Sequence, residues 1–146
     1  LLKFFWEKKM TEFEINQNFL MGLVGQAVFT IAMLFLLWMM FRANTLAHER
    51  GSNLIQKILS TAISGAVLLF NLGNWNSFSA AFNNWAYSLS QLDSLSAGGQ
   101  RFVEQAGASG YVDGGLIPSD PVSLVFWIGI TIALFFGIWT APAPKE

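Results

Sequence analysis

The chain has 146 residues, of which 53% are hydrophobic and 12% are charged, and its formal net charge is −1. Both fractions depart from the average of soluble proteins in the direction of membrane proteins. The charge argues against a nucleic-acid-binding protein, because no group of Lys and Arg is available to neutralise a row of phosphates. Cysteine is absent, which excludes disulfides, thiolate nucleophiles and Cys-ligated metal centres within the chain.

The N-terminal third contains an amphipathic segment followed by a long apolar run. Residues 1–18 place their apolar side chains near one helical face, as in helices that lie in the headgroup region. Residues 19–41 carry no charge and have Gln26 and Thr30 as their polar interruptions. As a helix this run is about 34 Å long, so we predict a first transmembrane helix. A signal peptide would have a shorter apolar region that ends at a small-residue cleavage site.

A polar segment and a second apolar run come next. Residues 42–53 include His48 and end near Gly51, a residue typical of helix ends, so we predict a turn. Residues 54–72 form the second predicted transmembrane helix. This run contains several hydroxyl and amide side chains, so a buried or re-entrant helix is the alternative.

Residues 73–120 are predicted to lie outside the membrane, and they begin with an uncharged, ring-rich stretch. Within 74–92 the apolar residues recur every three or four positions, which predicts an amphipathic helix. They are Trp75, Phe78, Phe82, Trp85, Leu89 and Leu92. Such a face suits the membrane interface, the ends of the chain's own spans or another protein. We favour another protein, because the opposite face carries Asn and Ser without the Lys or Arg of surface-bound helices.

The rest of this loop is rich in glycine and predicts irregular structure with one short helix around residues 100–105. The third transmembrane helix is predicted over 121–140, with Ser119 or Asp120 as N-cap and Pro121 at the first helical position. Residues 141–146 form a C-terminal tail. The predicted class is therefore an all-α integral membrane protein with about three transmembrane helices, an interfacial aromatic helix and a glycine-rich loop.

Small residues recur every four positions in the third span, at Gly129, Ala133 and Gly137. In lipid, helices associate through close van der Waals contact, which such stripes permit. We therefore predict that these three residues pack against a partner, together with Trp75, Phe78, Phe82, Trp85 and Leu89. The neighbouring Leu134 is expected to be less sensitive to truncation, on the assumption that its face meets lipid.

The sequence offers no catalytic or metal-binding constellation. His48 is the only histidine and has polar neighbours, so we interpret it as a solvated or headgroup-level residue in a turn, with axial ligation of a heme or chlorophyll as the alternative. The central parts of the spans contain no ionisable residue, whereas transporters usually keep such residues at membrane depth. Gln26, Thr30 and Asn71 are expected to form hydrogen bonds between helices. No cofactor is predicted within the chain, and a lipid, pigment or quinone at a subunit boundary stays open.

These observations favour a non-catalytic accessory subunit of a larger integral-membrane complex, such as a respiratory, photosynthetic or monooxygenase assembly. Its expected partners are other membrane subunits and lipids, with no nucleic acid. The alternative is a self-assembling transport or channel component. We expect a bacterial inner membrane or an analogous energy-transducing membrane. The basic residues of the turn after the first span place the loop 73–120 on the non-cytoplasmic face, although basic residues counted over both sides balance.

Overall fold

The structure, a computed structural model, describes residues 10–144, and its regular elements there are four helices. They are α1 (Glu12–Arg50), α2 (Leu54–Ser90), α3 (Ala97–Ala106) and α4 (Pro121–Thr140). By length and composition α1, α2 and α4 are each able to cross a membrane. The predicted all-α class with three candidate transmembrane helices is thus confirmed. Predictions for residues 1–9, 145 and 146 lie outside the described residues.

The first helix is longer than the predicted span. It begins at a capping box in which Thr11 and Glu14 exchange hydrogen bonds, and it ends at Gly51, whose φ of 83° is readily adopted only by glycine. The prediction of a turn over 42–53 is wrong for residues 42–50, which continue the helix. This polar segment holds no Gly or Pro before Gly51, and Asn44 and His48 find partners on α4.

The second helix joins two segments that the sequence analysis separates. It starts at a capping box between Asn53 and Gln56 and continues through Gly73 to Ser90. The aromatic helix predicted over 74–92 is therefore the second half of α2. A single glycine costs only about 1 kcal/mol in a helix. The amides of Asn71 and Asn74, on either side of Gly73, hold this part of α2 against α1.

The third span is punctuated as predicted. Asp120 accepts the backbone N–H of Ser123 at 2.7 Å and Pro121 occupies the first turn of α4. At the other end, Ser52 N–H donates to Pro142 O at 2.7 Å and Lys57 Nζ to Ala141 O at 2.6 Å. The end of α4 therefore lies beside the α1–α2 turn, so α4 runs parallel to α1 and antiparallel to α2.

The short helix expected around residues 100–105 is present as α3. Ser96 caps its start, and Gly107 ends it with a left-handed φ of 58°. It packs on the second half of α2, beyond the level at which α4 begins. The ends of α1 and α2 thus extend past α4 and are covered by α3 and the glycine-rich segment.

The core lies where α1, α2 and α4 meet, and consists of Leu37, Val67, Leu68, Trp127 and Leu134. Leu134 is fully buried. The assumption that its face meets lipid is wrong. In a membrane protein the inward and outward faces of a span are both apolar, so hydropathy did not distinguish them.

Candidate functional site

The aromatic face of α2 is packed largely within the chain. The ring of Trp85 lies between Phe19 of α1, with centroids 4.2 Å apart, and Phe102 of α3, with centroids 4.1 Å apart. Its indole N–H donates to Asn16 Oδ1 at 2.9 Å. Phe82 meets Phe19 edge to face. This cluster joins α1, α2 and α3 where they extend beyond α4.

The remaining residues of that face have different surroundings. Phe78 contacts the ring of Phe82, and Leu89 is 1% exposed. Trp75 donates from Nε1 to Ser123 Oγ at 3.1 Å, and its ring meets Trp127 edge to face. Because 43% of Trp75 is exposed, it is the member most available to a partner. Contact of these five residues with another subunit stays a prediction.

The asparagine-rich face of α2 binds the glycine-rich segment. Asn83 Nδ2 donates to Gly110 O at 2.8 Å. Asn84 forms two hydrogen bonds with the backbone of Val112. Its Nδ2 donates to the Val112 carbonyl at 3.0 Å, and its Oδ1 accepts the Val112 N–H at 2.8 Å. The Ser88 and Tyr111 hydroxyls are 3.1 Å apart. Amides thus satisfy backbone groups that an irregular segment leaves unpaired, which explains a polar face without charge.

Sequence reasoning missed this pairing, although a signal was present. Asn83 and Asn84 precede a segment in which glycine prevents regular structure, and amide side chains are suited to both backbone donors and backbone acceptors. The segment also approaches α2 too closely for a side chain at one position, because a Cβ on Gly114 would lie 2.7 Å from the backbone of Ser77. Gly114 therefore allows the segment to lie directly on α2.

The three small residues of α4 face in different directions. Residues four apart on a helix are rotated by about 40°, so the stripe turns around α4 as it runs. A Cβ on Gly129 would meet no atom within 4 Å, and Ala133 is exposed. A Cβ on Gly137 would lie 2.8 Å from Asn44 Nδ2. Gly137 therefore packs inside the chain, while Gly129 and Ala133 face outward.

Polar side chains between α1 and α2 form hydrogen bonds from one helix to the other, as expected. Gln26 donates to the side chain and the backbone carbonyl of Asn74, and Asn74 Nδ2 donates to Thr30 Oγ1 at 2.9 Å. Asn71 Nδ2 donates to Met33 O at 3.2 Å. These contacts fix the register of α1 against α2.

A second polar group fixes α1 against α4. Asn44 Nδ2 donates to Leu134 O at 2.8 Å. His48 Nε2 lies 2.9 Å from Gly137 O, and because a carbonyl only accepts, this nitrogen carries the proton. The polar neighbours of His48 predicted a solvated side chain. His48 is exposed, but its ring also contacts α4. Both side chains pair with carbonyls of α4 from a neighbouring helix.

A cavity with polar lining residues and an apolar cleft lie beside α2. The polar cavity, of about 410 Å³, lies between α2 and residues 112–120, where Asp113 and Asp120 line it. Asn76 also lines it, is 7% exposed and has no partner for its Nδ2. A cleft of about 380 Å³ lies beside Trp75, Phe126 and Trp127. Within residues 10–144 no group of three or more His, Cys, Asp and Glu is placed to hold a metal ion.

Comparisons of the chain with protein-family models, with curated proteins and with solved structures find no match. The functional argument therefore starts from the surfaces of the helices. Two of these carry features that packing inside the chain does not use: the outward part of the α4 stripe and the outer face of α1.

Proposed function

We propose that the chain is a non-catalytic accessory subunit of a larger integral-membrane complex, in which the outer face of α4 contacts another transmembrane helix. The observation that carries this proposal is the outward position of Gly129 and Ala133 on a helix whose inward face holds Trp127, Leu134 and Ile138. Small residues on an outer face allow a neighbouring backbone to approach closely.

The use of the polar side chains supports a structural role. Gln26, Thr30 and Asn71, which would line the path of a self-assembling channel, form hydrogen bonds between α1 and α2. Interhelical bonds of this kind hold a bundle together. The channel alternative predicts solute or ion flux through the reconstituted chain, and Gln26→Leu should abolish that flux.

The finer parts of the proposal concern the setting of the complex. We place it in a bacterial inner membrane or an analogous energy-transducing membrane, with residues 73–120 on the non-cytoplasmic side, and among respiratory, photosynthetic or monooxygenase assemblies. The basic residues Arg50 and Lys57 near the α1–α2 turn support that orientation. A lipid, pigment or quinone would occupy a boundary between subunits, and an absorbance spectrum of the purified complex distinguishes a pigment from a lipid.

Purification from native membranes in a mild detergent tests the proposal. The tagged chain should migrate with other integral-membrane subunits. Ala133→Leu should weaken that association by about 1 to 3 kcal/mol, because a branched side chain separates closely packed backbones. Ala62→Leu is the matched control, since Ala62 is exposed on α2, away from both proposed contact faces. A wild-type chain that runs alone as a monomer would contradict the proposal, and equal losses for both variants would show that the α4 stripe is not the contact.

A further inference from the structure

The outer face of α1 carries one continuous row of exposed side chains. Leu20, Val24, Val28, Ile31, Phe35, Trp38 and Arg42 are spaced three or four residues apart and therefore share one face of the helix. The six apolar members are each between 57% and 69% exposed. The row is apolar except at its end, where Arg42 follows Trp38 by one turn. We call these seven residues the outer row of α1.

The depth of Arg42 follows from the contacts between α1 and α4. Asn44 bonds to the carbonyl of Leu134, and Arg42 precedes Asn44 by two residues, or about 3 Å along the axis. Because the two helices are parallel, Arg42 is level with residue 132, near the middle of α4. A helix of 20 residues such as α4 is about 30 Å long, which is just the thickness of the hydrocarbon core. If α4 spans, Arg42 lies inside the membrane.

The side chain of Arg42 is too short to leave the hydrocarbon from that level. Thr140, the last residue of α4, is eight positions beyond residue 132, which corresponds to about 12 Å. An arginine side chain extends about 7 Å from its Cα. Tilting the bundle does not remove the problem, because neighbouring helices tilt together. Even when the Arg42 side chain extends toward the headgroups, its guanidinium therefore does not reach them.

Arg42 has no compensating group within the described residues, where it forms neither a hydrogen bond nor an ion pair and is exposed. A charged group in lipid is costly unless it is paired, and ionisable residues at this depth characteristically face a partner or an aqueous cavity.

The other end of the outer row shows the converse mismatch, because its apolar residues extend beyond the start of α4. Gln26 is bonded to Asn74, near the level at which α4 starts, so Leu20 lies about 9 Å beyond that level. One end thus carries a charge inside the apolar layer, and the other carries apolar residues outside it.

We propose that a transmembrane helix of another subunit lies along the outer row of α1 and presents a carboxylate to Arg42. The apolar members supply the contact area, and the guanidinium donates two hydrogen bonds to one carboxylate in a water-poor site, where such a pair is strongest. A single Asp or Glu in an apolar run is the chemical signature of this partner. The proposal rests on the proposed function, and it names a face of the chain other than the α4 stripe.

The test uses the full chain in its native membrane. A photo-crosslinking amino acid in place of Ile31 should yield a crosslinked peptide that contains an Asp or Glu within an apolar run of another protein. Arg42→Leu should reduce co-purification of that protein by about tenfold or more, because it leaves the carboxylate unpaired in lipid. Arg50→Leu is the matched control, because Arg50 is exposed at the end of α1, and it should leave the complex intact. Charge exchange, with Arg42→Glu and the partner's acid changed to Arg, should restore the complex.

Each other outcome overturns the inference in a distinguishable way. If the wild-type complex forms and Arg42→Leu leaves it intact, the carboxylate contact is wrong while the accessory-subunit role stands. If Arg42→Leu removes only a bound anionic phospholipid, detected by native mass spectrometry, a lipid phosphate and not a protein neutralises Arg42. A crosslink to a second copy of the chain excludes a partner subunit on this face. Absence of any wild-type complex overturns both proposals.

Discussion

The indole of Trp85 lies parallel to the ring of Phe19, with centroids 4.2 Å apart and planes inclined by 8°. Phe102 covers the indole as well, from α3. One side chain on α2 therefore contacts both the start of α1 and α3, although Phe19 and Phe102 are 83 positions apart in the sequence. Stacked ring pairs contribute about 0.5 to 1.5 kcal/mol beyond the burial of their area.

We expect Trp85→Ala to lower the free energy of unfolding by about 2 to 4 kcal/mol, since both stacking contacts and the bond to Asn16 are lost. Thermal unfolding in detergent, followed by circular dichroism at the helix band, measures the change. Trp139→Ala is the control, because Trp139 is 50% exposed on α4, and it should cost less than about 1 kcal/mol. Equal losses would show that the Trp85 cluster does not stabilise the fold.

The Gln26–Asn74 pair should show measurable coupling. We expect Gln26→Leu and Asn74→Ala each to destabilise the chain, and the double variant to lose less than the sum, because each single change leaves the other amide without its partner. Interhelical hydrogen bonds in membranes show coupling energies of about 0.6 kcal/mol on average, with a maximum near 1.7. A double-mutant cycle of unfolding free energies checks this range. Strict additivity would mean that the bond does not hold α1 against α2.

The elements that sequence predicted well are those marked by local chemistry. Asp120 and Pro121 mark the start of α4, and Gly51 marks the end of α1, because caps and left-handed glycines act within a few residues. The sequence predicted a helix end near Gly73, and α2 continues through it. One glycine without a following proline does not stop a helix when the residues beside it, Asn71 and Asn74, are hydrogen-bonded to α1. The orientation of Leu134 required tertiary contacts, because lipid and the core are equally apolar.

In the candidate site, too, local features were predictable from sequence and tertiary contacts were not. The period of the aromatic face predicted that its rings share one side of a helix, but not that Phe19 and Phe102 cover them. The level of Arg42 beside residue 132 of α4 was hidden as well, because hydropathy places the end of the first apolar run at residue 41, whereas the register of α1 against α4 is set by the bond from Asn44 to Leu134 O. Register between helices is set by such contacts and not by the length of an apolar run.

Two glycines of α4 should respond differently to alanine. Gly129→Ala should stabilise the isolated chain by up to about 1 kcal/mol, because its Cβ enters open space and alanine favours the helix. Gly137→Ala should gain less or lose stability, because its Cβ would displace Asn44 Nδ2 from the carbonyl of Leu134, a bond worth about 1 kcal/mol. Unfolding in detergent compares the two variants directly. A Gly137→Ala variant as stable as Gly129→Ala would contradict the close contact of α1 and α4.

The start of α1 should hold α3 in a pH-dependent manner. Glu12 accepts the Ser96 hydroxyl and the Ser96 backbone N–H, both at 2.7 Å. The side-chain bond and then the backbone bond lower the pKa of Glu12 below its usual value, while slight desolvation opposes them. A group whose folded pKa is lowered stabilises the fold above its unfolded pKa, near 4.3 for glutamate. That contribution should be lost as the pH falls through the lower, folded pKa.

We therefore expect hydrogen exchange of the α3 amides to accelerate relative to that of the α4 amides as the solution is acidified below about pH 4, after correction for the intrinsic pH dependence of exchange. Glu12→Gln imitates the protonated carboxyl and should give the faster α3 exchange already at pH 7. Glu49→Gln removes the same charge from the opposite end of α1, where Glu49 is exposed, and should leave α3 unchanged. If the α3 amides of Glu12→Gln exchange as slowly as those of the wild type across this pH range, the contact is refuted. The carboxylate would then contribute nothing to the start of α3.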